Sequence, residues 1–130
     1  MPVSAERETV HAAGAPAAIG PYSHAVRSGG LLYCSGQIPL DPANGELVAG
    51  PVSVQARRCL DNLAAVCEGA GTTLARAVRI TIYMTDLGAF AEVNEACAEV
   101  FATDPPARAT VGVAALPRGA AVEIDAIVAI

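Results

Sequence analysis

The chain has 130 residues, 53% of them hydrophobic and 16% charged, and a formal net charge of -5. That is enough chain for a single domain with a substantial core. The charged fraction falls below the roughly 25% of an average globular protein, and a mean hydropathy of +0.44 predicts an oligomer in place of a lone monomer. No apolar run reaches the ~18 residues of a membrane span, no basic start precedes an apolar block at the N-terminus, and the eight basic residues are scattered apart from Arg57-Arg58. These features disfavour membrane and nucleic-acid binding and predict a cytoplasmic protein.

In chain order, residues 6–12 and 24–36 read as strands. The second is interrupted by Gly29-Gly30, a two-residue hairpin signal between Ala25-Val26-Arg27-Ser28 and Leu31-Leu32-Tyr33-Cys34-Ser35. The turn formers of Pro39-Leu40-Asp41-Pro42-Ala43-Asn44-Gly45 predict a loop. Over 53–70, Ala56, Cys59, Leu60, Leu63, Val66, Cys67 and Ala70 recur at three- and four-residue spacing, with Gly69 and Gly71 at the end, which predicts an amphipathic helix. Residues 77–85 alternate, with Val78, Ile80, Ile82 and Met84 on one face, as in a half-buried strand.

A second helix is predicted over 87–101, capped by Thr85 or Asp86, with a stripe of Phe90, Val93, Cys97, Val100 and Phe101. Asp104-Pro105-Pro106 stops it. Strands over 109–116 and 120–130 close the chain, joined through Leu116-Pro117-Arg118-Gly119. In the last strand Val122, Ile124, Ala126, Val128 and Ile130 should face the helices, with Glu123 and Asp125 on the opposite side. Tyr33 and Ser35 also share a face. The order βββαβαββ predicts one α+β domain over residues 1–130, a mixed β-sheet with two helices on one face, whose other face awaits cover from neighbouring subunits.

Cys34, Cys59, Cys67 and Cys97 form no C-x-x-C pair and sit within apolar patterns, so they read as reduced, buried thiols. His11 and His24 have no partners at metal-ligand spacing, and no metal is expected.

The chemistry concentrates in Pro106-Ala107-Arg108-Ala109-Thr110 and in Glu123, fifteen residues after the arginine. A guanidinium matches a carboxylate bidentately, and a carboxylate flanked by Val122 and Ile124 is poorly solvated and suited to proton transfer near neutral pH. Together they point to a small carboxylic acid as ligand. On residues alone, Arg108 reads equally well as a solvated arginine after a proline turn, and Glu123 as an exposed residue beside Asp125.

Five stretches occur in order and at matching spacing: Ala15-Pro16-Ala17-Ala18-Ile19-Gly20-Pro21-Tyr22-Ser23, Tyr33-Cys34-Ser35-Gly36-Gln37-Ile38-Pro39, Val93-Asn94, Pro106-Ala107-Arg108, and Leu116-Pro117-Arg118-Gly119-Ala120-Ala121-Val122-Glu123-Ile124. On these the chain resembles the RidA family of reactive imine/enamine deaminases over nearly its whole length. The resemblance implies a chorismate-mutase-like (RidA-like) fold assembled as a homotrimer with sites between subunits. It further implies hydrolysis of 2-aminoacrylate-type imino acids to 2-keto acids and ammonia, with no cofactor. By the same resemblance Arg108 binds the substrate carboxylate and Glu123 positions or activates water, while Tyr22, Ser35 and Asn94 line the pocket. Many members carry Ser-Cys where this chain has Ala109-Thr110, so a cysteine nucleophile is excluded at position 110, which offers its backbone groups or hydroxyl to substrate instead. The rival expectations are a trimer that binds 2-keto acids without catalysis and a ribonuclease or translation inhibitor, the latter disfavoured by the acidic charge balance.

Overall fold

The computed structural model describes residues 6–130. Strands β1 (Glu8–Val10), β2 (Ala25–Ser28) and β3 (Leu31–Gln37) lead into helix α1 (Val52–Gly69), then β4 (Ala77–Met84), α2 (Phe90–Val100), β5 (Ala107–Gly112) and β6 (Val122–Ala129). The expected βββαβαββ order is observed. All six strands form one sheet in the order β1-β2-β3-β6-β4-β5, antiparallel throughout except for the parallel pair β4–β5.

The turn between β2 and β3 needs two residues with positive φ, and Gly29 (61°) and Gly30 (82°) supply them. Helix α1 ends in a Schellman motif: Thr72 N–H donates to Cys67 O, Gly71 N–H donates to Glu68 O, and Gly71 takes the left-handed conformation at φ 83°. Its predicted stripe is buried, with Cys59, Leu60, Leu63, Val66 and Cys67 inaccessible to solvent, and each large aliphatic side chain contributes roughly 1.5–3 kcal/mol from burial. These residues pack on Ile80, Ile82, Met84, Val122, Ile124 and Val128, which face the helices from the central strands. The four cysteines are free and buried, as their apolar contexts predict.

The structure corrects the sequence reading of several elements. The first strand is three residues long, and His24 stands just outside β2 as a buried side chain that fastens the preceding loop. Val78 is 49% exposed, because a bulge between Ala77 and Arg79 leaves it as the extra residue, and the alternation holds only from Ile80 onward. The segment 87–101 opens as a 3-10 turn over Leu87–Ala89, in which the Asp86 carboxylate accepts from Gly88 N–H (2.8 Å), and becomes α-helical at Phe90. The strand expected over 109–116 begins earlier and ends earlier, because β4 runs out at Met84, which faces Gly112 and accepts a last bond from Val113 N–H (2.8 Å).

The face of the sheet away from the helices carries Val26, Tyr33, Tyr83, Val111 and Ile127, and Tyr33 and Val111 are 45% and 40% exposed. No element among the described residues covers it.

Candidate active site

Residues directly opposite each other on paired strands point to the same side of a sheet. Glu123 lies opposite Tyr83, on the open face, as its alternation with Val122 and Ile124 predicts. Arg108 lies opposite Ile80, a helix-facing core residue. Within one chain, Arg108 and Glu123 therefore occupy opposite faces of the sheet, on strands separated by β4.

Glu123 forms the floor of a cleft of about 340 Å³ lined by Ile19, Tyr22, Ser35, Gly36, Ile38 and Pro117. A bulge in β3 makes the room: Cys34 faces Ala126 and Gln37 faces Ile124, so three steps on β3 span two on β6. Gly36 sits at that bulge because a Cβ there would fall 2.9 Å from the Glu123 carboxyl carbon and nearer still to Oε2. The carboxylate thus occupies space that a side chain would otherwise fill. Burial, and secondarily the Asp125 charge, push the Glu123 pKa above the ordinary carboxylate value. Asp125 is held two residues along the same face by a bond donated from Tyr83 Oη (3.0 Å).

The rest of this cleft is fixed by hydrogen bonds within the chain. The Ser35 hydroxyl donates to Ser23 O (2.7 Å), tying down the loop that carries Tyr22. His24 Nδ1 accepts from Ala12 N–H (2.9 Å), which leaves Nε2 to donate to Pro16 O (2.8 Å). Tyr22 is 42% exposed, and its Oη accepts from Ile19 N–H (3.3 Å). Beneath Ile38, the inaccessible Asn62 donates from Nδ2 to Leu40 O (3.0 Å) and accepts from Arg58 Nε (3.1 Å).

A second cavity, about 390 Å³, opens on the helix side of β5. Arg108 and Asn94 are its polar walls, and Ile80, Cys97, Phe101 and Pro106 line the remainder. Phe90, expected in the buried stripe of α2, is instead 41% exposed, with the Arg108 guanidinium 5.4 Å from its ring centroid. Burial pushes the Cys97 thiol up, and Arg108 beside it acts in the opposite direction. Thr110 follows Arg108 on the same face of β5, opposite Ile82, and its buried hydroxyl has no hydrogen-bond partner. An orphaned buried hydroxyl costs roughly 1–3 kcal/mol, and Thr110 is not among the residues that line the cavity.

The residues named from the sequence thus divide into Tyr22, Ser35 and Glu123 in one cleft and Asn94 and Arg108 in the other, while Thr110, next along the same face of β5, lines neither. Phe90, Gly36 and Cys97 were not foreseen as site residues. Gly36 had a signal, since a glycine inside a strand pattern marks a bulge or a close approach. Among the described residues, no three side chains of metal-binding type cluster, and no helix is long and apolar enough to cross a membrane.

Sheet, helices and divided site together define a class of protein. Residues 12–130 match the model of the family described as Endoribonuclease L-PSP, and the chain belongs to that family, the RidA family of the sequence reading. It is 54% identical to Protein DfrA of Myxococcus xanthus over 93% of this chain and 94% of that protein. Identity is 45% to the 2-iminobutanoate/2-iminopropanoate deaminase of Mus musculus, over 93% and 90%. The crystal structure of RidA from an Antarctic Psychrobacter superposes with a TM-score of 0.91 at 43% identity, over 95% of this chain and 99% of that one.

Proposed function

We propose that the protein is a hydrolytic deaminase of reactive enamine and imine intermediates, 2-aminoacrylate-type imino acids, which it converts to 2-keto acids and ammonia. Its sites are assembled between copies of the chain in a homotrimer. The observation that carries the reading is the division of the site: a guanidinium cavity on one face of the sheet and a carboxylate of raised proton affinity on the other. A substrate carboxylate bound by Arg108 of one copy meets the Glu123 cleft only if a neighbour presents it. The uncovered apolar and aromatic sheet face supplies a surface for such packing.

In this mechanism Arg108 clamps the carboxylate bidentately, with Phe90 steadying the guanidinium, the Asn94 amide holding a remaining polar atom and Thr110 offering its backbone groups. Clamping places the imine carbon beside a water held by Glu123. As the water oxygen bonds to that carbon, Glu123 accepts its proton and passes it to the nitrogen that receives the C=N pair, giving a neutral carbinolamine. Glu123 then takes the carbinolamine hydroxyl proton and delivers it to nitrogen, so that the carbonyl forms as the C–N bond breaks and ammonia leaves. For an enamine, protonation at the methylene carbon to the imine comes first. Water is the only co-reactant, so no cofactor enters. Tyr22 at the cleft wall orients the water or covers the substrate.

The name of the mouse relative supports this reading. A trimer that merely binds 2-keto acids would need Arg108 but no carboxylate of raised proton affinity. The family's description as an endoribonuclease favours RNA cleavage, yet the chain carries a net charge of -5, and of its eight basic residues Arg57 is ion-paired to Asp61 and Glu99 and Arg27 to Glu8. The test generates imino acids with an amino-acid oxidase or a serine/threonine dehydratase in the presence of semicarbazide as trap. Wild type should suppress semicarbazone formation, and folded Arg108→Ala and Glu123→Ala should not. Carboxylate binding without turnover would replace the deaminase by a binding protein. Salt-sensitive RNA binding abolished by Arg57→Glu plus Arg58→Glu would revive the nuclease.

A further inference from the structure

The cavity beside Arg108 is larger than the smallest imino acids require. At about 390 Å³ it reaches the volume range, roughly 300–1,000 Å³, of pockets that enclose drug-sized molecules. Its polar walls gather at one place, Arg108 and Asn94, and no carboxylate lines it. The remaining walls are carbon and sulfur: Ile80 from the sheet, Cys97, Ala98 and Phe101 from α2, and Pro105 and Pro106 from the turn after it. The two prolines have no N–H to leave unsatisfied against an apolar guest. Cys97 is 8% exposed and ends in a small thiol, so it forms part of the wall without filling the space that a longer side chain at this point of the helix would take.

We infer that this cavity receives the carbon side chain of the substrate whose carboxylate Arg108 holds, and that Cys97 sets its size limit. The preferred substrates are 2-imino acids with branched aliphatic or aromatic side chains. This inference rests on the proposed role of Arg108 and specifies the substrate class within that reading. One end of the ligand is fixed by the fork of Arg108, and burial of each added methylene favours the larger acid about fourfold. A pocket of this kind separates substrates mainly by rejecting those too large for it, so narrowing it should change selectivity about tenfold or more.

The experiment measures kcat/KM for two imino acids generated by an amino-acid oxidase, one with a methyl and one with an isobutyl side chain, in wild type, Cys97→Leu and Ala98→Phe. The ratio of the two constants is the readout, because partial loss of fold or of general activity leaves a ratio unmoved. Ala98 is exposed, so Ala98→Phe narrows the cavity without overpacking the core if Cys97→Leu fails to fold. Wild type should favour the isobutyl substrate, and each narrowed variant should lower the isobutyl-to-methyl ratio at least tenfold. A ratio within twofold of wild type in both variants would overturn the inference. Calorimetric binding of the two corresponding 2-keto acids runs in parallel. If neither imino acid is turned over, the deaminase reading fails, while tighter binding of the isobutyl acid, weakened selectively by narrowing, still upholds the cavity. Equal binding of both acids in all variants would overturn the cavity's role whatever the chemistry.

Discussion

The two halves of the site are built in opposite ways. The Glu123 cleft is bound from within: Ser35, His24 and the amide nitrogen of Asn62 bond the backbone of the surrounding loops, and Gly36 yields its side-chain space to the carboxylate. The Arg108 cavity lies on an edge strand, with an exposed arginine and an exposed Phe90 beside it, and the next residue along that face, Thr110, has a hydroxyl with no partner. One half is internally satisfied and the other is not. Proton transfer demands a carboxylate in a fixed, poorly solvated place, whereas a binding half can leave bonds open for a ligand to complete.

The largest effect expected from this contrast comes at Glu123. Glu123→Ala should cost about 10²–10⁴ in kcat, the range for loss of a general acid/base, with KM little changed. Arg108→Ala should act chiefly through KM, reducing kcat/KM by roughly 10–200-fold for loss of a charged bidentate contact worth about 1.5–3 kcal/mol. Steady-state kinetics on both variants separate the halves, and equal effects on kcat and KM in both would erase the distinction.

Gly36→Ala tests the internal fit of the first half. The added methyl meets the Glu123 carboxylate, so kcat should fall by about tenfold or more from misplacement of the reacting group, and circular dichroism should show an unchanged fold. Wild-type kcat in a folded Gly36→Ala would show that the carboxylate's position is not critical.

The smallest effect is on stability and pH. Glu123 keeps its proton more tightly in the folded chain than in the unfolded one, because burial and Asp125 raise its pKa. Its favourable contribution is therefore complete in acid, below the ordinary carboxylate value, and is lost as pH rises through the raised value. Glu123→Gln should be slightly more stable than wild type at neutral pH, and the gain should vanish in acid. Asp125→Asn, which removes the secondary cause, should move the acid limb of the kcat/KM profile to lower pH. Thermal melts across pH and a pH–rate profile check both signs.

Much of the fold was legible because local pattern and final environment agree. The alternation from Val122 to Val128 put Glu123 and Asp125 on the correct face, and Gly71 marked the end of α1. What could not be read depends on pairing between distant strands. The face of Arg108 is fixed by its register against Ile80 in a parallel pair at the sheet edge, and nothing in 107–112 announces that register. The bulges at Ser35-Gly36 and at Val78 shift the count by one residue each, which moved Val78 from the predicted core to the surface. Phe90 fits a helical stripe by spacing, yet it lies at the first turn of α2 beside an edge strand and pairs with a guanidinium instead of the core.

The central claim is that Arg108 and Glu123 act together only across two copies of the chain. Arg108→Ala and Glu123→Ala, each strongly impaired alone, are unfolded and refolded together in equal amounts, and imino-acid turnover at low substrate concentration is measured with the semicarbazide trap. In a ring of heterologous contacts about one site in four then draws an intact arginine from one copy and an intact glutamate from the next, so roughly a quarter of wild-type activity should return. No recovery from a mixture that demonstrably exchanges subunits would contradict the account.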